Sequence, residues 1–313
     1  MPTYTNPVYD TYFADPFVLR HEGAYYGFGT ASPDVRALPA LRSPDLVAWE
    51  PIGDVLEPPE LDAEAFWAPE VAYRDGVFWM YYSAGGAEGE GQQLRVACSE
   101  RPEGPFVDAG AVLDPQDPFT IDAHPFQDED GQWYLFYCRD FLDGERVGTG
   151  VVVDRLPEVD ALAGDRRLVV RPYAEWNLFT ADRDWYGRRW DAWYTVEGPF
   201  VRKHEGRYYC FFSGGNWQQP SYGISYAVAE HPLGPYRVAP GEGPTVLRTA
   251  PGRVLGPGHA SIVESPSGAE ELLVYHGWDP EASARLMRID RLRWTPDGPH
   301  CDGPTTTPQP APG

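Results

Sequence analysis

Positive charge, sulfur and long apolar runs are all scarce in this 313-residue chain. Lys203 is the sole lysine, and 25 basic residues face 47 acidic ones, for a formal net charge of −22. A surface that negative repels phosphate backbones, anionic lipids and polyuronates, so neither nucleic acid nor a membrane is an expected partner. No run of about 18 apolar residues occurs, which excludes a spanning helix. The opening MPTYTNPVYD lacks a basic n-region and an apolar run, so no secretory signal is expected and the cytoplasm is the expected location. Of the four cysteines, Cys138 and Cys210 lie inside aromatic runs (WYLFYC, RYYCFF). They read as reduced core residues, not as a disulfide framework or a metal site.

What is abundant is punctuation. The 33 glycines and 33 prolines cut the chain into short pieces and argue against long helices. A hydrophobic share of 42%, with 14% aromatic, supports a real core.

One pattern recurs: a polar residue, a proline, a short apolar run, a charged turn with glycine, then an aromatic strand. It appears as ADPFVLRHEGAYYGFGT from Ala14, WAPEVAYRDGVFWMYYSAG from Trp67, IDAHPFQDEDGQWYLFYCRD from Ile121 and VEGPFVRKHEGRYYCFFSGG from Val196. A fifth copy, GPGHASIVESPSGAEELLVYHGW from Gly256, lacks the proline. Each spells a β-hairpin. Segments such as LRSPDLVAWEPIG and MRIDRLRWTPDGP add a third and a fourth strand. Four short strands per copy predict an all-β, five-bladed β-propeller. No linker interrupts the copies, so residues 1–302 are expected as a single domain. Residues 303–313 form a Pro/Thr-rich C-terminal tail expected to fray. The longest loop, about Leu156 to Tyr194, is a candidate binding element.

The first strand of a propeller blade faces the central channel, which brings Asp15, Glu70, Asp122, Glu197 and His259 toward one axis. Packed carboxyl groups raise one another's pKa. Breaking a glycosidic bond needs one protonated carboxyl and one ionised carboxylate, and such a cluster supplies both. Trp67, Phe66, Trp185, Trp190, Trp193 and Trp217 crowd the same loops and offer flat faces to sugar rings, although core packing is the first expectation for each tryptophan taken alone.

In these motifs the chain resembles the glycoside hydrolase family 43 enzymes over about Asn6 to Pro299. Those enzymes are five-bladed propellers that act as β-xylosidases, α-L-arabinofuranosidases and arabinanases. The matching motifs are ADPF, WAPEV, IDAHPF, VEGPF and GPGHAS. The resemblance implies Asp15 as general base, Glu197 as general acid and Asp122 as the residue that orients the acid and raises its pKa. It implies substrate contacts from Trp67, Ala68, Trp217 and Arg285, with Arg288 the second candidate arginine. It also implies that His259 lies beneath the pocket, where some relatives hold calcium or sodium largely through water. No cofactor is required for the chemistry. His124, where many relatives carry a different residue, either lines the pocket or packs against the blade. The CRDF stretch at Cys138 resembles the Arg-Asp pair of invertase-like propellers, but their Glu-Cys acid motif is missing.

The expected function is an inverting, exo-acting glycosidase that releases L-arabinofuranose and/or D-xylose from hemicellulose-derived oligosaccharides. The alternatives are an endo-arabinanase and a non-catalytic, lectin-like sugar-binding propeller. The lectin predicts degenerate acids, whereas all three are present.

Overall fold

The computed structural model describes residues 2–57 and 61–313. Strands dominate; the one helical piece among the described residues is the 3-10 turn Glu175–Asn177. Among the described residues no helix is long and apolar enough to cross a membrane.

Three copies of the repeat form separate four-stranded antiparallel sheets. Their first strands are Ala14–His21, Ala65–Arg74 and Leu255–Glu264. The third and fourth copies, starting at Thr120–Gln127 and within Arg188–His204, are joined in a ten-stranded sheet. The join is a short parallel pairing of Gly148 and Thr149 with Tyr194 and Thr195. Each first strand touches the next one along the chain, and the fifth touches the first.

Local chemistry explains the strands. Aromatic and β-branched runs such as WYLFYCRDF favour a pleated, half-buried surface. Glu22-Gly23, Asp75-Gly76 and Glu205-Gly206 each place two successive residues at positive φ, as a tight type I′ hairpin requires. The third copy turns through Asp128–Gly131 instead, and this longer loop accounts for its different spacing.

Every first strand is interrupted by a β-bulge: between Ala14 and Phe17, Trp67 and Glu70, Ile121 and His124, Glu197 and Phe200, and Gly258 and Ser261. Within each bulge one residue has positive φ: Asp15, Ala68, Asp122, Gly198 and His259. Bulges re-aim side chains and are common beside active sites. This corrects the register drawn from proline. Asp15 and Asp122 are equivalent, Ala123 stands where three of the other copies carry Pro16, Pro69 and Pro199 (the fifth has Ala260), and Glu197 precedes its bulge residue by one.

The backbone N–H of each bulge residue donates to a side chain of the preceding copy. Ala68 donates to Thr30 Oγ1 (2.8 Å), Asp122 to Ser83 Oγ (3.1 Å), His259 to Ser213 Oγ (2.7 Å) and Asp15 to His276 Nδ1 (3.1 Å). The fifth, from Gly198, goes to Asp122 Oδ2 (3.0 Å). These five bonds run once around the first strands and return to the start.

Two expectations change. The long loop is largely ordered strand: Arg167–Val170, then a hairpin of Leu178–Trp185 against the start of Arg188–His204. The tail does not hang free. Pro310 and Gln309 pair with Thr3 and Tyr4, and Thr305 bonds to the buried Asp290. The tail therefore ties the chain ends together over the fifth copy.

Candidate active site

The bulges bring Asp15, Asp122, Glu197 and His259 into one electrostatic neighbourhood. Asp15 is buried, and burial alone would raise its pKa. The opposing influence of Arg285, then of His259, holds it well below the usual carboxylate range. Arg285 Nη1 donates to Asp15 Oδ1 at 3.1 Å, and His259 Nδ1 lies 3.4 Å from the same oxygen. Burial pushes His276 down to about 4, so it stays neutral and accepts the Asp15 N–H through Nδ1.

Glu197 is in the opposite state. Burial, and next the charge of Asp122, push it up to about 7. The hydroxyl of Tyr222 donates to Glu197 Oε1 at 2.7 Å, which moderates the rise by favouring the charged form. Asp122 is itself pushed up to about 6 by burial, with His259 opposing and Asp15 adding to the rise. For His259, burial favours the neutral ring, but Asp15, Asp122 and Glu197 outweigh it and raise its pKa.

Two glycines in these motifs have steric reasons. Gly198 has φ +58, and a Cβ there would lie 3.0 Å from His259 Cγ. A Cβ on Gly258 would lie 2.1 Å from Tyr222 Cε1, so that glycine makes room for the tyrosine that meets Glu197.

The expected sugar contacts divide. Arg285 stands over Trp217, its Cζ 4.5 Å from the ring centroid, and its Nε donates to the Tyr12 hydroxyl. Trp217 stacks on Trp278 at 5.6 Å. Trp67 is partly exposed; Ala68 contributes a buried methyl at the bulge position that Asp15 and Asp122 hold in their copies. Trp193, Trp190 and Phe66 are core residues. His124 is buried, with Nδ1 2.6 Å from Glu70 Oε2 and its ring 4.4 Å from that of Phe200. It therefore pairs with Glu70 and packs against Phe200. Arg288 is also buried, away from solvent. Arg139 and Asp140 of CRDF are structural: Arg139 pairs with Asp117, and Asp140 accepts bonds from Thr149, Trp185 and Tyr186, pinning the hairpin tip.

No group of three or more His, Cys, Asp or Glu side chains among the described residues is arranged to hold a metal. His259 turns its Nδ1 toward Asp15. A surface cavity of about 450 Å³ lies beside Arg248, Arg253 and Thr305–Thr307, and none of the acids lines it.

Tyr222 and His276 escaped the motif reading. A signal for His276 existed: the second strands carry Thr30, Ser83, Cys138, Ser213 and His276 at equivalent register positions. Tyr222 stands just before the third strand Gly223–Ala229, at the place Gln92 holds before Gln93–Ser99 in the second copy, so its position repeats although its residue type does not.

One carboxylate kept ionised beside one carboxyl kept protonated is the pairing that glycoside hydrolysis requires. The Glycosyl hydrolases family 43 profile matches residues 4–299. The chain belongs to glycosyl hydrolase family 43. Among its relatives, the Aspergillus niger protein named beta-D-galactofuranosidase xynD is 29% identical, over 94% of this chain and 83% of the relative. A probable arabinan endo-1,5-alpha-L-arabinosidase B of Aspergillus oryzae is 26% identical over 84% and 81%. A solved thermostable family-43 glycoside hydrolase superposes with a TM-score of 0.86 at 37% identity, covering 99% of both chains. This family 43 member is thus a glycoside hydrolase whose substrate is a carbohydrate.

Proposed function

We propose that this protein is an inverting, exo-acting glycosidase that releases L-arabinofuranose and/or D-xylose from hemicellulose-derived oligosaccharides. The carrying observation is the opposed protonation of Asp15 and Glu197. In the proposed reaction a water oxygen attacks the anomeric carbon while Asp15 takes the proton that this water loses. The bond from the anomeric carbon to the leaving oxygen breaks, and Glu197 gives its proton to that oxygen. Asp122 orients Glu197 through the Gly198 N–H and helps to keep it protonated. Arg285 holds Asp15 ionised beside the sugar, and Trp217 and Trp67 offer faces to it.

The ring of bonds between successive copies, and the contact of the fifth first strand with the first, support a five-bladed propeller around these acids. In such a ring Asp15 and Glu197 are separated by one intervening blade. That arrangement favours the wider carboxyl spacing, roughly 6.5–9.5 Å, which leaves room for a water beneath the sugar. A cation held through water near His259 would be structural, with no part in the bond-breaking.

Furanosides are the preferred substrates in this reading. The relative named as a galactofuranosidase favours β-D-galactofuranosides as the second reading. A panel of nitrophenyl α-L-arabinofuranoside, β-D-xylopyranoside and β-D-galactofuranoside separates them. Proton NMR of the first sugar released is expected to show the anomer opposite to the substrate bond. Initial release of the retained anomer refutes Asp15 as the base, and sugar binding without turnover refutes the hydrolase.

A further inference from the structure

In four of the five copies, the bulge N–H is taken by the side chain at one fixed register position of the preceding copy: Thr30, Ser83, Ser213 and His276. In the third copy that position is Cys138, paired with Ile121 just as Ser83 pairs with Trp67 and Ser213 with Glu197. The N–H it would receive belongs to Gly198, next to Glu197. That N–H goes instead to Asp122 Oδ2.

We infer that Cys138 is a positioning residue: by offering only sulfur where the other copies offer a hydroxyl or imidazole, it leaves the Gly198 N–H to the Asp122 carboxylate and so holds Asp122 against Glu197.

A thiol is a weak acceptor, whereas hydroxyls at this position accept bulge N–H groups at 2.7 to 3.1 Å in three other copies. Cys138 is fully buried and lies close enough to Asp122, Glu197 and the Gly198 N–H for each to act on its thiol. Burial and the two carboxyl groups keep that thiol neutral, so it cannot compete as a thiolate. A serine at 138 would repeat the arrangement of Ser83 and Ser213. Asp122 would then lose its donor and move away from Gly198. Glu197 would lose part of the negative charge that keeps it protonated.

This inference rests on Glu197 as the general acid. The test compares Cys138→Ser, Cys138→Thr and Cys138→Ala by pH profile on an alkyl or disaccharide substrate, whose leaving group needs protonation, and on a dinitrophenyl glycoside, whose leaving group does not. In the hydroxyl variants the alkaline limb on the alkyl substrate should fall by about half a pH unit or more, with kcat down about tenfold. The dinitrophenyl rate should hold within about threefold. Cys138→Ala supplies no acceptor, so its alkaline limb should stay where the wild type has it. An unmoved limb in a folded hydroxyl variant, or an equally displaced limb in Cys138→Ala, overturns the inference. Failure of both hydroxyl variants to fold makes the position one of packing and overturns it too. If the wild type itself shows no alkaline limb specific to the alkyl substrate, Glu197 is not the acid, and both readings fall.

Discussion

Replacing Tyr222 by Phe should make the general acid weaker, not stronger. The Tyr222 hydroxyl donates to Glu197 Oε1 at 2.7 Å, and it meets a carboxylate when Glu197 is ionised and a neutral carboxyl when it is protonated. A hydrogen bond to a charged acceptor contributes about 1.5–3 kcal/mol, against about 0.5–1.5 kcal/mol for a neutral one. The difference, about 1 kcal/mol, favours the ionised form and corresponds to somewhat under one pKa unit. Glu197 already stands at about 7. Removing the hydroxyl should carry the alkaline limb of kcat/KM upward by about half to one unit on a substrate with an alkyl leaving group. Asp15 should stay ionised across the whole range assayed, because Arg285 and His259 hold it well below the usual carboxylate range. Initial rates across pH 4 to 9, with circular dichroism to confirm folding, measure this. An alkaline limb that stays put or moves down refutes the argument, since either result removes Glu197 as the group titrating there.

Glu197→Gln should reduce turnover of natural linkages by about a thousandfold or more while sparing dinitrophenyl glycosides; equal losses on both would remove Glu197 from the acid role. The same variant should change stability with a definite sign. The folded-state pKa of Glu197 lies above the ordinary glutamate value of about 4.5, so the native state binds the extra proton and loses stability as pH rises from about 4.5 through 7. Relative to wild type, Glu197→Gln should therefore melt higher at pH 8 and nearly equally at pH 4, as thermal scans at the two pH values would show. Gly258→Ala should displace Tyr222, because its Cβ would fall 2.1 Å from that ring, and cost on the order of 1–3 kcal/mol of stability with loss of activity; denaturant titration checks it, and a wild-type midpoint contradicts the packing argument. Chelator should leave the melting temperature unchanged, because no group of three or more His, Cys, Asp or Glu side chains among the described residues is arranged to hold a metal directly; a fall restored by calcium would instead reveal a cation held through water.

Much of the architecture was legible because strand formation is local. Aromatic and β-branched runs, two-residue turns such as Glu22-Gly23, and the repetition of both announce hairpins without reference to the rest of the chain. That the three acids would be neighbours was legible for a related reason: each sits in a short motif at the start of a copy, and a repeat brings the starts of its copies together. The register was less legible. Proline marks the bulge in three copies, but Ala123 and Ala260 replace it in the third and fifth, and only the shared bulge register and the positive φ of Asp122 reveal that it matches Asp15. The merging of the third and fourth copies rests on a parallel pairing of Gly148 and Thr149 with Tyr194 and Thr195, which no local pattern encodes.

The protonation states belong to the tertiary structure alone. Asp15, Asp122 and Glu197 are chemically similar groups in similar motifs. What separates them is that Arg285, far along the chain, reaches Asp15, while Asp122 lies against Gly198 and Tyr222 meets Glu197. Charge interactions and desolvation depend on distance and burial, and sequence separation sets neither. The sequence by itself determined which residues approach the site; the folded arrangement decided which carboxyl keeps its proton.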